Sequence, residues 1–154
     1  MIRTFADQSM EMVGKKILLR GRALKIRDHG KIFFIDLLDG SGIVQTVSKE
    51  KYDVSEQDII DIEGTVKNRP SNLVNPHLST GNIEVEIKKL VILSKSKTPP
   101  IPVDGDGYNV DENLRLKYRY LDLRRKRLQD NLRLRHRVSQ LSREFLNENG
   151  FIEI

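Results

Sequence analysis

The residues best suited to chemistry in this sequence begin with an aromatic ring on a predicted strand. Alternation along residues 32–38 places Phe33 on one face of the strand and Phe34 on the other. If Phe33 fills the interior, Phe34 points outward, where its ring can stack on an unpaired nucleobase. Such stacking contributes about 1–3 kcal/mol per base. The alternative is that a loop or a later linker covers Phe34.

Polar side chains on two other predicted strands offer hydrogen bonds of the kind that read base edges. The amide of Gln45 both donates and accepts hydrogen bonds. Glu84 faces away from Ile83 and Val85, and its carboxylate would accept hydrogen bonds from base amino or imino groups. The alternative is that Gln45 and Glu84 are ordinary polar residues that face solvent and bind no ligand.

Cations lie beside the loops that would flank such a surface. Lys25 and Arg27 end the first predicted strand, and Arg69 opens a long loop before the last one. Lysine and arginine at these places would hold phosphates, and arginine also forks onto a guanine edge.

Motifs for catalysis are missing from the sequence. It has no phosphate-binding GxxxxGK loop, no GxSxG elbow and no HExxH pair. His29, His77 and His136 lack metal-ligand spacing, so we interpret them as surface residues. The absence of cysteine excludes disulfides, thiolate zinc sites, iron–sulfur clusters and a cysteine nucleophile. We therefore expect neither an active site nor a metal site in these residues.

The positive charge is concentrated in one segment. The net charge is +5, whereas residues 114–143 hold 11 Lys/Arg against 2 Asp/Glu. This segment fits either a polyanionic partner or a solvated helix face. No apolar run exceeds four residues, and the N-terminal segment lacks the apolar core of a signal peptide. We expect a soluble intracellular protein without a membrane span.

Hydrophobic alternation predicts five strands, over residues 16–27, 32–38, 43–48, 59–67 and 82–93. The polar residues 49–58 have room for one helical turn, and residues 68–81 form a long loop. Glycines inside the first and fourth strands suit a barrel, whose strands bend sharply. The predicted fold class is mainly β, a five-stranded OB-fold Greek-key barrel followed by an extended linker and a C-terminal helical segment.

The C-terminal part has a different periodicity. Three prolines in residues 95–107 predict a stiff linker. Leu134, Val138, Leu141 and Phe145 are spaced for an amphipathic helix, with a cap at Asn149 and Gly150. Residues 151–154 restart an extended pattern, from which we expect the chain to be part of a longer protein.

Seven stretches together resemble the N-terminal part of bacterial-type aspartyl-tRNA synthetases, which are class II enzymes. These stretches are residues 27–30, 33–37, 41–45, 63–66, 74–76, 80–85 and 114–125. The last stretch, LRLKYRYLDLRR, is the most specific and resembles the hinge between the anticodon-binding barrel and the catalytic domain. The resemblance implies an anticodon-binding domain over 1–94, a linker and basic hinge over 95–127, and the start of the catalytic domain over 128–154.

The resemblance also implies roles for individual residues. Phe34 would stack on the central uridine of the aspartate tRNA anticodon, while Gln45 and Glu84 would read anticodon bases. Further anticodon contacts are expected from Lys25, Arg27, His29, Arg69 and Asn75. The basic hinge would lie against the tRNA backbone or the catalytic body through Arg115, Lys117, Arg119, Arg124 and Arg125.

Partners and cofactors follow from the same resemblance. The helix over residues 128–148 looks like the start of the first class II motif, which builds a homodimer interface. The motifs that hold ATP and aspartate are absent, so ATP and magnesium are expected only in a full-length cytoplasmic enzyme. With His29 in its first loop, the chain resembles family members that also charge the asparagine tRNA. The chain departs from the family at Arg22, where tryptophan is usual, at Lys126, where proline is common, and in its short segment 49–58.

Two other functions fit the same sequence. The barrel would also serve as a sequence-tolerant binder of single-stranded nucleic acid. Alternatively, the amphipathic helix and the barrel surface would form a protein-interaction or dimerisation module.

Overall fold

The computed structural model describes residues 3–154; residues 1 and 2, part of the N-terminal segment interpreted above, lie outside the described residues. The chain forms two compact units, Met1–Lys97 and Thr98–Ile154. A 3₁₀ helix, Asp7–Met12, precedes the strands of the first unit. These strands are β1 (Lys16–Asp28), β2 (Phe33–Leu38), β3 (Ile43–Ser48), β4 (Ile59–Asn68) and β5 (Ile83–Ser94).

The five strands close into a barrel in the order β1-β2-β3-β5-β4. Strand β3 pairs with β5 in parallel, and the other neighbours are antiparallel. The predicted barrel is therefore confirmed. Residues 49–58, which have room for one helical turn, form no helix. The end of this segment is instead a turn in which Gln57 has φ 75° and Asp58 Oδ2 accepts a hydrogen bond from the Ser55 N–H at 2.9 Å.

Alternation along each strand fills the barrel with aliphatic side chains. Ile17 and Leu19 of β1, like Phe33 of β2, belong to one buried cluster. Gly21 and Gly64 lie where strands approach closely, since a Cβ would sit 2.5 Å from the carbonyl oxygen of Leu38 or Glu86, respectively. These two positions therefore exclude side chains, which agrees with the bends expected of barrel strands.

The second unit contains three helices, α1 (Glu112–Lys117), α2 (Arg119–Asp122) and α3 (Lys126–Glu148). The sequence predicted α3 but not the two short helices of the hinge. Asp111 caps α1 by accepting a hydrogen bond from the Leu114 N–H at 3.2 Å. Beyond α3, Gly150 has φ 81° and the Phe151 N–H donates to Leu146 O at 3.0 Å, as the predicted cap requires. Residues 151–154 form no regular element.

None of the helices in residues 3–154 is long and apolar enough to cross a membrane.

Candidate nucleic-acid interface

An irregularity in β1 turns Lys25 and Arg27, two of the predicted RNA contacts, toward the outside of the barrel. Odd-numbered residues face inward up to Ala23, which is buried, so strict alternation would also bury Lys25 and Arg27. The register with β2 shifts between Ala23 and Lys25. A bulge reverses the faces beyond it, and Lys25 is exposed while Arg27 is half-buried. The bulge thus brings Arg27 opposite Phe34 of β2.

The Phe34 ring lies outside the hydrophobic core. Phe33 is 4% exposed and belongs to the core, whereas Phe34 is half-buried on the opposite face of β2. The Arg27 guanidinium lies 5.8 Å from the centre of the Phe34 ring, within cation–π range. His29 meets the same ring edge-on, with the two centres 5.8 Å apart. Phe34 therefore points outward from the barrel, as predicted.

A chain of hydrogen bonds links four polar side chains across β1, β2, β3 and β5. Arg27 donates to both carboxylate oxygens of Asp36, at 2.7 and 3.0 Å. Its Nη2 also donates to Gln45 Oε1 at 3.2 Å. Gln45 Nε2 in turn donates to Glu84 Oε2 at 3.4 Å. Phe34, Arg27, Gln45 and Glu84, together with Asp36, form one continuous surface, which we call the strand face.

The turn that carries His29 is held by ionic and backbone contacts. Asp28 accepts a hydrogen bond from the Gly30 N–H at 2.8 Å and pairs with Lys51 at 2.7 Å. The Lys51 ammonium and the Gly30 N–H hold the pKa of Asp28 below its usual value. His29 itself is exposed beside the strand face.

Arg69 does not present its charge to solvent as the sequence suggested. The residue is 8% exposed, and its Nε donates to Ile83 O at 2.8 Å while Nη1 donates to Leu73 O at 3.4 Å. Burial lowers the pKa of Arg69 from its usual value. These two hydrogen bonds hold the β4–β5 loop, and the anticodon contact expected of Arg69 stays a prediction.

The same loop carries Asn75. Its side chain accepts a hydrogen bond from the His77 N–H at 3.0 Å, and its own N–H donates to Gly81 O at 3.0 Å. Asn75 is half-buried, and these hydrogen bonds hold it in a turn of the loop.

The basic hinge residues fall into two groups. Lys117, Arg119 and Arg124 are exposed, and a solvent-facing cation can attract a phosphate. Arg115 is half-buried and donates to Gly107 O at 3.2 Å.

Arg125 is enclosed, unlike the exposed cations of the hinge. It is 1% exposed and donates to Asp122 Oδ1 at 2.8 Å, to Pro102 O at 2.6 Å and to Asp104 O. The buried Asp122 carboxylate needs a cation, and Arg125 supplies it while it binds the linker onto the hinge. The contact with the tRNA backbone expected of Arg125 stays a prediction.

Comparison with known proteins identifies the fold family. Residues 17–93, half of the chain, match the family described as the OB-fold nucleic acid binding domain. The chain belongs to this family. Residues 111–154 match a second family, tRNA synthetases class II (D, K and N). The OB-fold match covers the barrel that carries the strand face.

Relatives in sequence agree with the predicted resemblance. The aspartate–tRNA(Asp/Asn) ligase of Natranaerobius thermophilus is 48% identical over 157 residues, which cover 96% of this chain and 27% of that ligase. The aspartate–tRNA ligase of Staphylococcus carnosus is 40% identical over 153 residues, or 94% of this chain and 26% of the ligase. The chain thus spans about a quarter of the length of these curated relatives. The resemblance to aspartyl-tRNA synthetases is confirmed.

Solved structures share the fold of this OB-fold family member. The aspartyl-tRNA synthetase of Entamoeba histolytica has a TM-score of 0.84 at 21% identity, covering 99% of this chain and 38% of the other. The asparaginyl-tRNA synthetase of Pyrococcus horikoshii has a TM-score of 0.78 at 24% identity, covering 99% of this chain and 37% of the other.

No group of three or more His, Cys, Asp or Glu side chains in residues 3–154 has the arrangement of a metal site. The carboxylates of the strand face are engaged with Arg27 and Gln45 instead.

Sequence reasoning assigned no part to Asp36, although it lies at the centre of the strand face. Its register partners are Lys25 on β1 and Gln45 on β3. The signal that would have found it was present, since residue 36 shares the outward face of its strand with Phe34. What alternation alone cannot give is the cross-strand partner, because that depends on strand order and on the bulge.

Proposed function

We propose that this chain is the anticodon-recognition region of an aspartate–tRNA ligase. The observation that carries the proposal is the strand face, on which an outward aromatic ring adjoins an amide and a carboxylate joined by hydrogen bonds. The ring supplies a stacking platform, and the polar groups supply donors and acceptors for base edges. The OB-fold match and the aspartate–tRNA ligase relatives support the same reading.

The proposed mechanism is differential binding of RNA. Phe34 stacks on the central base of the aspartate anticodon, and Gln45 and Glu84 read base edges. We expect further anticodon contacts from Lys25, Arg27, His29, Arg69 and Asn75, and contacts with the tRNA backbone from Arg115, Lys117, Arg119, Arg124 and Arg125. Binding of the anticodon loop then holds the tRNA so that its acceptor end reaches an active site elsewhere in the ligase.

The domain assignment belongs to this proposal. Residues 1–94 form the anticodon-binding domain, residues 95–127 the linker and hinge, and residues 128–154 the start of the catalytic domain. ATP and magnesium act in the rest of a cytoplasmic ligase, which joins aspartate to its tRNA.

A homodimer is the proposed assembly. The α3 helix exposes a row of apolar side chains, each 47–65% accessible, at Leu134, Val138, Leu141 and Phe145. Burying such a row in a second copy would remove apolar surface from water. The class II match over residues 111–154 supports this use of the helix.

The choice of tRNA is a finer part of the proposal. We propose the asparagine tRNA as a second partner, which the relatives named aspartate–tRNA(Asp/Asn) ligase support. The two anticodons differ only at the third base, near which His29 is a suitable contact.

A competition experiment tests the proposed function. The full chain is bound to a labelled anticodon stem-loop of aspartate tRNA, and unlabelled loops carrying the aspartate, asparagine or scrambled anticodon displace it. We expect the scrambled loop to compete at least about tenfold less well, the loss of one well-read base. Equal competition by all loops would support a sequence-tolerant binder, and no RNA binding at low salt would support a protein-interaction module.

A further inference from the structure

The Asp36 carboxylate at the centre of the strand face is largely enclosed and is paired with Arg27. Asp36 lies on β2 opposite Gln45 of β3, and its side chain is 13% exposed. Both of its oxygens accept hydrogen bonds from Arg27, at 2.7 and 3.0 Å. A paired, largely enclosed carboxylate repels phosphate and offers little to a base. Any contribution of Asp36 to base reading therefore passes through Arg27.

The Arg27 guanidinium is fixed by this pairing. A bidentate contact with a carboxylate holds the planar guanidinium in both position and orientation. The same Nη2 atom that donates to Asp36 also donates to Gln45 Oε1 at 3.2 Å. Arg27 therefore transmits the position of Asp36 to the amide of Gln45.

The Gln45 amide then has one permitted orientation. A guanidinium can only donate hydrogen bonds, and an ionised carboxylate can only accept them. Arg27 on one side requires the oxygen of the amide, and Glu84 on the other side requires its nitrogen. Rotating the amide by half a turn would place donor against donor and acceptor against acceptor. One N–H and one oxygen lone pair of the amide remain for a ligand.

From this geometry we propose that Asp36 is a positioning residue for base reading by Gln45. It fixes Arg27, and Arg27 with Glu84 fixes which end of the Gln45 amide meets each part of a base edge. The inference rests on the proposed function, because it concerns how the same surface discriminates between bases. Without Asp36, Arg27 is no longer held against the amide oxygen, and only the 3.4 Å contact with Glu84 opposes rotation of the amide.

The chain offers a matched control for the test. Asp61 accepts two hydrogen bonds from Arg20, at 2.7 and 2.6 Å, and its side chain is 15% exposed. The Arg20–Asp61 pair joins β1 to β4 and includes no contact with Gln45 or Glu84. Asp61→Asn therefore removes the same type of ion pair without touching the strand face.

The experiment compares dissociation constants of the full chain for stem-loops in which each anticodon base is replaced in turn. Gln45→Ala first identifies the base that loses discrimination. We expect Asp36→Asn to lower the discrimination ratio at that base at least about fivefold, and Arg27→Lys to do the same, since lysine cannot make the forked contact. Adding Asp36→Asn to Gln45→Ala should cause no further loss, while Asp61→Asn keeps the ratio within about twofold of the parent. Thermal melting checks that each variant is folded.

The outcomes separate this inference from the function on which it rests. If the parent chain discriminates but Asp36→Asn and Arg27→Lys keep the full ratio, the inference is overturned and the proposed function stands. A uniform weakening of all stem-loops by Asp36→Asn also overturns it, since that would be a general electrostatic or structural effect. A parent chain without discrimination overturns both.

Discussion

At the scale of single residues, the strand face combines one apolar contact with a set of directed polar ones. Phe34 supplies the apolar contact, and its ring lies beside the Arg27 guanidinium and the His29 ring. Stacking tolerates any base, because every base has a π-face, so sequence preference must come from the polar side chains. We therefore expect Phe34 to contribute mainly to the affinity for RNA and Gln45 mainly to the discrimination between bases.

Replacing the ring tests the affinity part. We predict that Phe34→Ala weakens binding of the aspartate anticodon stem-loop by about 1–3 kcal/mol, the loss of one stacked base. Phe5→Ala is the matched control, because the exposed Phe5 ring likewise lies beside an arginine, with Arg3 4.5 Å from the ring centre, but Phe5 is outside the barrel strands. Fluorescence anisotropy measures both affinities. Equal affinities for Phe34→Ala and the parent would remove this ring from the site.

At the scale of secondary-structure elements, the sequence was sufficient for the strands but not for their partners. Alternation located all five strands to within one residue at each end. It did not reveal the bulge after Ala23, which turns Arg27 outward, because a bulge depends on the register of two strands. The buried position of Arg69 was missed for a similar reason, since its carbonyl partners lie on a loop and on β5.

The ion pair between β1 and β4 has a predictable pH dependence. Hydrogen bonding from Arg20 lowers the pKa of Asp61 in the folded chain below its usual value. The unfolded chain therefore binds a proton at higher pH than the folded one, and the pair's contribution is lost as the pH falls through the lowered pKa. Above about pH 5 that contribution is fully present.

Melting curves of the parent and Asp61→Asn test this dependence. We predict that the parent melts at higher temperature near pH 7 and that the difference shrinks as the pH falls toward 2. Circular dichroism across that range measures it. A difference that stays constant over the whole range would contradict the assignment of the lowered pKa to Asp61.

At the scale of the whole molecule, the two units use arginine differently. In the barrel, Arg27 lies on a half-exposed face, where a ligand can reach it. In the second unit, Arg125 is enclosed and binds the linker carbonyls of Pro102 and Asp104. From the sequence, both are cations expected to contact tRNA, and only packing distinguishes the accessible Arg27 from the enclosed Arg125.

The most direct test of the central claim is where RNA contacts the chain. Backbone amide shifts of the labelled chain are followed by nuclear magnetic resonance during titration with the aspartate anticodon stem-loop. We predict the largest shifts around Phe34, Gln45 and Glu84, with little change on the outer β4–β5 surface at Glu63 and Lys89, which pair at 3.7 Å. Shifts confined to Glu63 and Lys89, with Phe34 and its neighbours unmoved, would contradict the account.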